Sequence, residues 1–323
     1  MKQQSFASLE YDQKKRRTRR ERFLAQMQEV VPWSRLVAVI EPHYPKSGKR
    51  GRRPMPLESM LRIYFMQQWY ALSDPAMEDA LYEVESMRRF AELDLLDDAL
   101  PDETTLLKFR HLLEAHKLTD KLLSEVNAHL QEQGVAVSKG TMVDATIVEA
   151  SPSTKNQAGK RDEQMHQTRK NNQWYFGMKI HVGADVNSGA VHSVTVTAAN
   201  EADISELPNL LREDDEAVFG DAGYASDEYK RGSRQMGMSW MVNDKSKPKH
   251  SKYPGLSAKQ RRRNRRRSSV RARVEHLFRI LKCQFGYRKV RYKGLEKNRV
   301  QVMSLMALAN LYLLRGKLEG QCA

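Results

Sequence analysis

The sequence predicts a chain in two parts, an all-helical N-terminal domain followed by an α/β domain with a mixed sheet. Two observations predict this arrangement. Residues 22–135 carry apolar side chains at helical spacing, with tight turns between the periodic segments. From Gly140 onward, β-branched runs alternate with helical segments in the order strand, hairpin, helix, strand, helix, strand, helix. The 323 residues are enough for about two domains.

The helical part contains short helices that tight turns separate. Apolar spacing marks residues 57–71, and Ser73 is an N-cap signal for a second helix at 75–84. Further helices are expected at 105–116 and 119–133. Short helices with excess arginine are typical of a helix-turn-helix domain that binds DNA, although a structural or dimerising bundle has the same pattern.

The α/β part begins with a β-branched run and contains a hairpin signal at 187–189, which predicts an antiparallel hairpin on an otherwise parallel sheet. The polar, basic stretch 151–173 has no periodicity and is expected to be a loop. The expected strands are 142–148, 174–185, 190–197, 217–221 and 239–243, and the expected helices are 204–212, 224–236, 268–284 and 297–315.

Composition indicates a partner with many negative charges. The formal net charge is +15, and residues 245–273 contain 13 Lys or Arg and no acid. A second basic run, 13–22, is either a solvated arm or a phosphate-binding arm. Such a chain favours nucleic acid over a membrane surface. The charged N-terminus is unlike a signal peptide, and two cysteines give no disulfide framework, so a cytoplasmic protein without a membrane partner is expected.

The helix expected at 268–284 carries Arg271, Glu275 and Lys282 four and seven residues apart. At about 100° per residue, these side chains point within roughly 40° of one direction. A carboxylate between two cations therefore lies beside an apolar stripe. The structural alternative is that Glu275 merely pairs with Arg271 and Arg279 on an exposed helix face.

Two further acids interrupt or end strand-like runs. Asp144 lies within a strand, where aspartate is unfavourable, and Asp221 ends a short buried strand. Taken singly, Asp144 is more often a structural hydrogen-bonding residue and Asp221 a turn or helix cap. Together with Glu275, they form a set of hard oxygen ligands suited to Mg²⁺ or Mn²⁺, with two ions acting on a phosphodiester. Arg271 and Lys282 would then hold neighbouring phosphates.

The local text around these acids resembles a known family. The segments GTMVDATIVEASPSTKN, MHQTRKNNQWYFGMKIHVGAD, ANEADISELPNLL, DAGY and RARVEHLFRILKCQFGYRKVRYKGLEKN are similar to DDE transposases of the bacterial insertion sequence 5 family, in the superfamily of insertion sequences 4 and 5. The segments GRRPMPLESMLRIYFMQQWYALSDPAMEDALYE and LPDETTLLKFRHLLE extend the likeness, which covers about residues 30 to 310.

The resemblance implies an RNase H-like catalytic core with Asp144, Asp221 and Glu275 as catalytic residues and metal ligands. It also implies cleavage at terminal inverted repeats, strand transfer into target DNA, and a homodimer or higher assembly on paired ends. The expected division is a basic arm at 1–21, a helical DNA-binding domain at 22–135 and a catalytic domain at 136–323 that includes the basic segment 245–273. A bacterial protein of this kind is expected in the cytoplasm, on nucleoid DNA.

One position departs from the superfamily signature Y-x2-R-x3-E-x6-K. Arg271, Glu275 and Lys282 match it, but Ser268 stands at the tyrosine position. Because that tyrosine is associated with hairpin formation on the cleaved end, its replacement leaves open both a hairpin and a copying route. Other candidate DNA contacts are Arg279, Arg273, Lys179, His166, Trp174 and Trp240. The two tryptophans are alternatively core or hairpin-packing aromatics, and His166 is alternatively a loop residue without a role.

Two other functions compete with a transposase. The first is a sequence-specific DNA-binding protein without catalysis, against which the intact acidic triad argues. The second is an RNase H-like nuclease acting on branched or hybrid nucleic acid, which would have no need of a long helical N-terminal domain. The end sequence, the target preference and the activity of this copy do not follow from the sequence.

Overall fold

A computed structural model describes residues 11, 13–46, 53–135, 138–157, 159–247 and 255–322, with side chains described up to residue 320. Much of the basic arm and residues 248–254 of the basic segment lie outside this description. Across the described residues, no helix has the length and apolar character needed to cross a membrane.

The N-terminal part is helical, as the sequence predicts. Its helices are α1 Arg19–Val30, α2 Trp33–Ile40, α3 Leu57–Trp69, α4 Asp74–Glu83, α5 Glu85–Phe90, α6 Glu103–Ala115 and α7 Leu118–Glu132. Polar caps set where several of them begin: Thr18 and Glu21 form a capping box on α1, and the Ser73 side chain accepts the N–H of Ala76 on α4.

The second part is built on one mixed sheet. Its strands are β1 Gly140–Glu149, β2 His166–Lys170, β3 Gln173–Asp185, β4 Val191–Ala198, β5 Ala217–Gly220 and β6 Ser239–Val242. The order is β2-β3-β1-β5-β6, and β4 also pairs with β3. β3 is antiparallel to β1, β2 and β4, whereas β1, β5 and β6 run parallel. This mixed sheet with flanking helices is an RNase H-like core, which confirms the predicted fold class.

Two sequence predictions in this part are wrong. The stretch expected as a loop contains β2, which pairs with the start of β3 across a turn at Asn171 and Asn172, both with positive φ. Asparagine tolerates that backbone region, so the turn closes a hairpin that the polar composition concealed. The helix expected at 204–212 is reduced to a 3₁₀ turn, Asp203–Glu206, and a single turn, α8 Leu207–Leu210.

The C-terminal helices cover the sheet. After α9 Asp227–Gln235, the long helix α10 Ala258–Arg279 begins at a capping box between Ser257 and Gln260. It therefore starts ten residues earlier than predicted and takes up much of the basic segment. A π-helical turn, Ile280–Gln284, follows it, and α11 Leu295–Cys322 completes the chain.

One apolar core connects the two parts. Its buried side chains come from α1 to α7, from β1, β3 and β4, and from α10 and α11. α11 carries polar contacts to the N-terminal helices: the hydroxyls of Tyr64 and Ser304 are 2.9 Å apart, and Asn310 Nδ2 donates to Asn127 Oδ1 at 2.8 Å. The helical part thus supports the sheet through α11.

Candidate active site

Asp144 and Asp221 occupy neighbouring positions on adjacent parallel strands. β1 and β5 pair with Met142 beside Phe219, so two residues further along each chain Asp144 stands next to Asp221, just after β5 ends. Parallel pairing brings both carboxylates to the same edge of the sheet. Ligand sites in open α/β sheets form at this carboxyl edge of parallel strands.

A tight turn fixes the Asp221 side chain. Asp221 caps the 3₁₀ turn Ala222–Tyr224, and its Oδ1 accepts the N–H of Gly223 at 2.7 Å. A Cβ atom at residue 223 would lie 2.8 Å from that oxygen. The cap that sequence alone offered as a structural alternative is therefore present, and it also holds the carboxylate still.

Asp144 is largely buried, with 14% of its side chain exposed. Burial raises its pKa above the ordinary value, the negative charge of Asp221 adds to the rise, and the positive charge of Arg271 opposes it. A positive charge placed beside Asp144 would therefore stabilise its ionised form.

Arg271 links two acids of the predicted triad. Its guanidinium donates to Asp144 Oδ2, and Nη2 lies 3.7 Å from Glu275 Oε1 one helical turn along α10. The Glu275 side chain is 64% exposed and free to change rotamer at little cost. The structure thus brings Asp144 and Asp221 side by side and connects Glu275 to them through a cation.

The acidic side chains have the chemistry to hold a divalent ion, although they do not yet converge on one. In the described part of the chain, no three His, Cys, Asp or Glu side chains already converge as a metal site. The carboxylate oxygens nevertheless have the chemistry that Mg²⁺ requires, and buried polar atoms nearby lack partners among the described residues, including Arg271 Nε, Tyr224 Oη and Asn243 Oδ1. Waters of a hydrated ion would satisfy such atoms, so the residues fit the group once Glu275 turns inward.

Lys282 contacts β1, the same strand that Arg271 contacts through Asp144. Its Nζ donates to the Ile147 carbonyl oxygen at 2.7 Å, three residues beyond Asp144. Lys282 lies in the π-helical turn Ile280–Gln284, where the helix departs from a uniform 100° per residue. Arg271 and Lys282 therefore reach β1 at two places, and Glu275 lies beside Arg271.

A basic groove lies beyond Asp221, between α9, β6 and the start of α10. We call it the α9–α10 groove; its volume is about 870 Å³. The cations that line it are Lys230, Arg234, Lys245, Lys247, Arg263 and Arg267. Burial first, and the neighbouring Arg263 second, lower the pKa of Arg267, so positive charge is crowded here. Only Asp227 and Asp244 oppose that charge among the residues that line the groove.

The remaining predicted contact residues are spread over the surface. Trp240 lines the α9–α10 groove, and Trp174 is 64% exposed on the β2–β3 hairpin, where His166 is also exposed. Lys179 Nζ lies 2.9 Å from Asp203 Oδ1 and donates to the Glu201 carbonyl. Arg279 is exposed, and Arg273 donates to the Val186 carbonyl. Ser268 accepts a hydrogen bond from Asn243 Nδ2 at 2.9 Å.

Sequence reasoning missed several cations near the carboxylates. Lys170 lies at the end of β2 and Arg288 follows the π-helical turn, and both line a cavity with Lys282. Lys230 and Arg234 of α9 line the α9–α10 groove. The paired asparagines at 171 and 172 are a turn signal that could have predicted the hairpin containing β2. No local sequence pattern indicates that Arg288 lies beside β1.

Comparison with known proteins identifies the class to which this fold and site belong. Residues 136–311 match the family described as Transposase DDE domain, and residues 11–112 match the family described as Transposase domain (DUF772). The first match spans more than half of the 323 residues, so the chain belongs to the DDE transposases, a class of metal-dependent enzymes that cut and transfer DNA.

One solved structure is similar to this chain, at low sequence identity. The chain is similar to a piggyBac transposase determined by cryo-electron microscopy as a synaptic complex with hairpin DNA. The identity is 10% and the TM-score 0.48, over 92% of this chain and 73% of that chain.

Proposed function

We propose that this protein is the transposase of a bacterial insertion sequence of the insertion sequence 5 family. It binds the terminal inverted repeats of its own element, hydrolyses phosphodiesters to free 3′-hydroxyls, and joins those ends to target DNA. Both steps are in-line displacements at phosphorus with different nucleophiles, so one site serves both. The observation that carries this proposal is the pair Asp144 and Asp221 on adjacent strand ends, with Glu275 joined to them through Arg271.

Asp144, Asp221 and Glu275 would hold the divalent ions, Mg²⁺ or Mn²⁺. When bound, the ions lower the pKa of the attacking group and stabilise the leaving oxygen. The strands and the Gly223 turn hold Asp144 and Asp221 in fixed positions, and Glu275 supplies a third carboxylate from an exposed helical position. Before a metal ion binds, Arg271 offsets the negative charge of the acids. After the ion binds, Arg271 faces the phosphate being cut.

The α9–α10 groove is the proposed path for DNA next to the carboxylates. Its cations can pair with the phosphates of a DNA backbone of any sequence, and the Trp240 ring can stack on a base. The helical part, residues 22–135, and the basic arm are proposed to bind the ends, with a division near residue 135. Because two ends must be processed together, a dimer or higher assembly is expected, in the cytoplasm on nucleoid DNA.

The decisive experiment substitutes each acid singly, as Asp144→Asn, Asp221→Asn and Glu275→Gln. Each change should reduce cleavage of end DNA with Mg²⁺ or Mn²⁺ by at least about a thousandfold, because hard ligands and their charge are lost. DNA binding without metal should stay near that of the unsubstituted chain. Addition of Mg²⁺ should raise the melting temperature of the unsubstituted chain more than that of the variants, by mass action.

Glu216→Gln is a matched control, because Glu216 is an exposed carboxylate five residues before Asp221 and pairs with the exposed Lys139 at 3.2 Å. It should leave both cleavage and the metal response unchanged. Full strand transfer by any of the three acidic variants would refute the assignment. Binding of end DNA with no cleavage by the unsubstituted chain would favour the non-catalytic alternative.

A further inference from the structure

A second cationic cavity lies on the other side of Asp144 from the α9–α10 groove. It is formed by β1, the tip of the β2–β3 hairpin and the π-helical turn, and its volume is about 430 Å³. That volume falls in the range of pockets that hold small ligands, so it admits a phosphodiester with part of its sugar. Its walls include Thr146, Glu149, Lys170, Lys282, Cys283 and Arg288.

Three cations face one acid in this cavity, so its net charge is positive. Burial lowers the pKa of Lys282 first, and the positive charges of Lys170 and Arg288 lower it further against the opposing Glu149. Mutual repulsion of this kind is relieved by an anion placed between the cations. The Lys282 ammonium is also held in place, since it donates to the Ile147 carbonyl at 2.7 Å.

The backbone makes the cavity rigid. The left-handed residues Asn171 and Asn172 close the hairpin that presents Lys170, and Arg288 Nε donates to the Lys282 carbonyl at 3.1 Å. Because this hydrogen bond connects Arg288 to Lys282 across the π-helical turn, the positions of the two cations relative to each other are fixed. Preorganised charge of this sort binds a phosphate with little loss of side-chain freedom.

Position along β1 indicates what the cavity binds. Thr146 and Ile147 follow Asp144 by two and three residues, which is roughly 7–10 Å at about 3.3 Å per residue. That distance is close to the spacing between successive phosphates of one strand, which exceeds the axial rise of about 3.4 Å per nucleotide because the backbone winds around the axis. A strand whose phosphodiester is placed at Asp144 and Asp221 therefore passes this cavity with a neighbouring phosphate.

We propose that Lys170 and Arg288 complete, around Lys282, a phosphate pocket that binds the DNA strand being cut at a phosphate next to the scissile bond. Together with the α9–α10 groove beyond Asp221, the pocket fixes the strand on both sides of the carboxylates. Lys170 and Arg288 are then positioning residues for the reaction. This inference depends on the proposed function, because it assumes that DNA occupies the carboxylates.

Cys283 gives a direct probe of occupancy, since it is exposed and its Sγ lies 3.8 Å from Arg288 Nη2. With Cys322→Ser, it becomes the sole cysteine of the chain. N-ethylmaleimide labelling, followed by mass spectrometry in the absence of divalent ions, should slow at least about fivefold when end DNA is added. A phosphate in the pocket would cover the thiol, whereas DNA bound elsewhere would not.

Lys170→Ala and Arg288→Ala provide the second measurement. Each should weaken binding of end DNA and reduce the slope of log affinity against log salt by about 0.9, the value for one phosphate contact. Lys139→Ala is the matched control: it removes an exposed lysine just before β1, whose Gly140 lies roughly 20 Å from Ile147 along the strand. It should leave the Cys283 labelling rates unchanged, with and without DNA.

The outcomes separate this inference from the proposed function. Unchanged Cys283 labelling together with unchanged binding by Lys170→Ala and Arg288→Ala would refute the pocket, while cleavage by the unsubstituted chain would uphold the transposase. Absence of any binding to end DNA by the unsubstituted chain would refute both. Protection of Cys283 that Lys170→Ala abolishes would establish the pocket.

Discussion

Gly223 acts on the site as a single residue in two ways. Its N–H donates to Asp221 Oδ1 at 2.7 Å, and its missing side chain leaves room for that same oxygen. Tyr224, fully buried beside it, anchors the turn in the apolar cluster beneath β5 and β6. The glycine therefore sets the position of a proposed metal ligand without touching metal or DNA.

Gly223→Ala should displace the Asp221 carboxylate, because the new Cβ would lie 2.8 Å from Oδ1. We expect cleavage to fall about tenfold to a hundredfold, since misplacement of a catalytic group by about 1 Å costs up to about that much. Metal-dependent cleavage of end DNA measures the effect. Excess Mn²⁺ should restore part of the loss if weakened metal affinity is its cause.

Gly232→Ala serves as the control for that change, because nothing lies within 4 Å of a Cβ at this position on α9. It should cleave as the unsubstituted chain does. If Gly223→Ala also retained full activity at low Mg²⁺, then Asp221 would not need the position that the turn gives it.

At the scale of elements, the β3–β4 hairpin is fastened by one buried carboxylate, Asp185. Its oxygens accept from Ser138, just before β1, and from Asn187 and Ser188 in the hairpin turn. Burial alone would raise the pKa of Asp185, but these hydrogen bonds hold it below the ordinary value. The ionised Asp185 side chain thus connects the segment just before β1 to the turn of the β3–β4 hairpin.

Asp185→Asn should therefore destabilise the protein by about 1.5–3 kcal/mol at pH 7, the usual range for hydrogen bonds to a charged group. A carboxyl whose folded pKa is depressed contributes stability above its unfolded pKa of about 3.9 and loses it as pH falls through its folded pKa. The difference in unfolding free energy between variant and parent should shrink below about pH 4. Urea unfolding at several pH values measures it.

Asp214→Asn is the control, because the Asp214 side chain is 65% exposed. This change should alter the unfolding free energy little at any pH. A loss in Asp185→Asn that stayed constant from pH 7 down to pH 3 would mean that the charge of Asp185 is not what fastens the hairpin.

Elements with strong local signals were predictable, whereas those set by distant contacts were not. The helix predicted at 57–71 is present as α3, and its spacing and flanking residues sufficed because helical hydrogen bonds are local. β2 was missed because its pairing with β3, rather than its polar composition, makes it a strand. The π-helical turn was missed because a change from i→i+4 to i→i+5 hydrogen bonding leaves no signal in the composition.

The same division applies to the candidate site. Sequence patterns selected Asp144, Asp221 and Glu275, and the parallel pairing of β1 with β5 places the first two side by side. The contact between Arg271 and Asp144 spans 127 residues of chain, so no local pattern could indicate it. For the same reason, the cavity shared by Lys170 and Arg288 emerged only from the folded chain.

For the whole molecule, charge and core are distributed in different ways. Clusters of positive charge line the α9–α10 groove and the cavity beside β1, on either side of the carboxylates. The apolar core, by contrast, continues across the proposed boundary near residue 135, through α11. The two parts therefore differ in predicted DNA contacts but depend on each other for stability.

This continuity predicts how the chain behaves when it is divided. A fragment of residues 138–323 would expose the face of α11 that packs against α7 and α3, including Ser304 and Asn310, which bond to Tyr64 and Asn127. Exposure of so large an apolar face should leave the fragment aggregated or molten, with strong binding of a hydrophobic dye and no cooperative melting.

The full chain should unfold in one calorimetric transition, with equal calorimetric and van't Hoff enthalpies. Restoring the N-terminal part in trans should recover cooperative melting. A monomeric fragment that melted cooperatively by itself would show instead that the catalytic part folds independently of the helices.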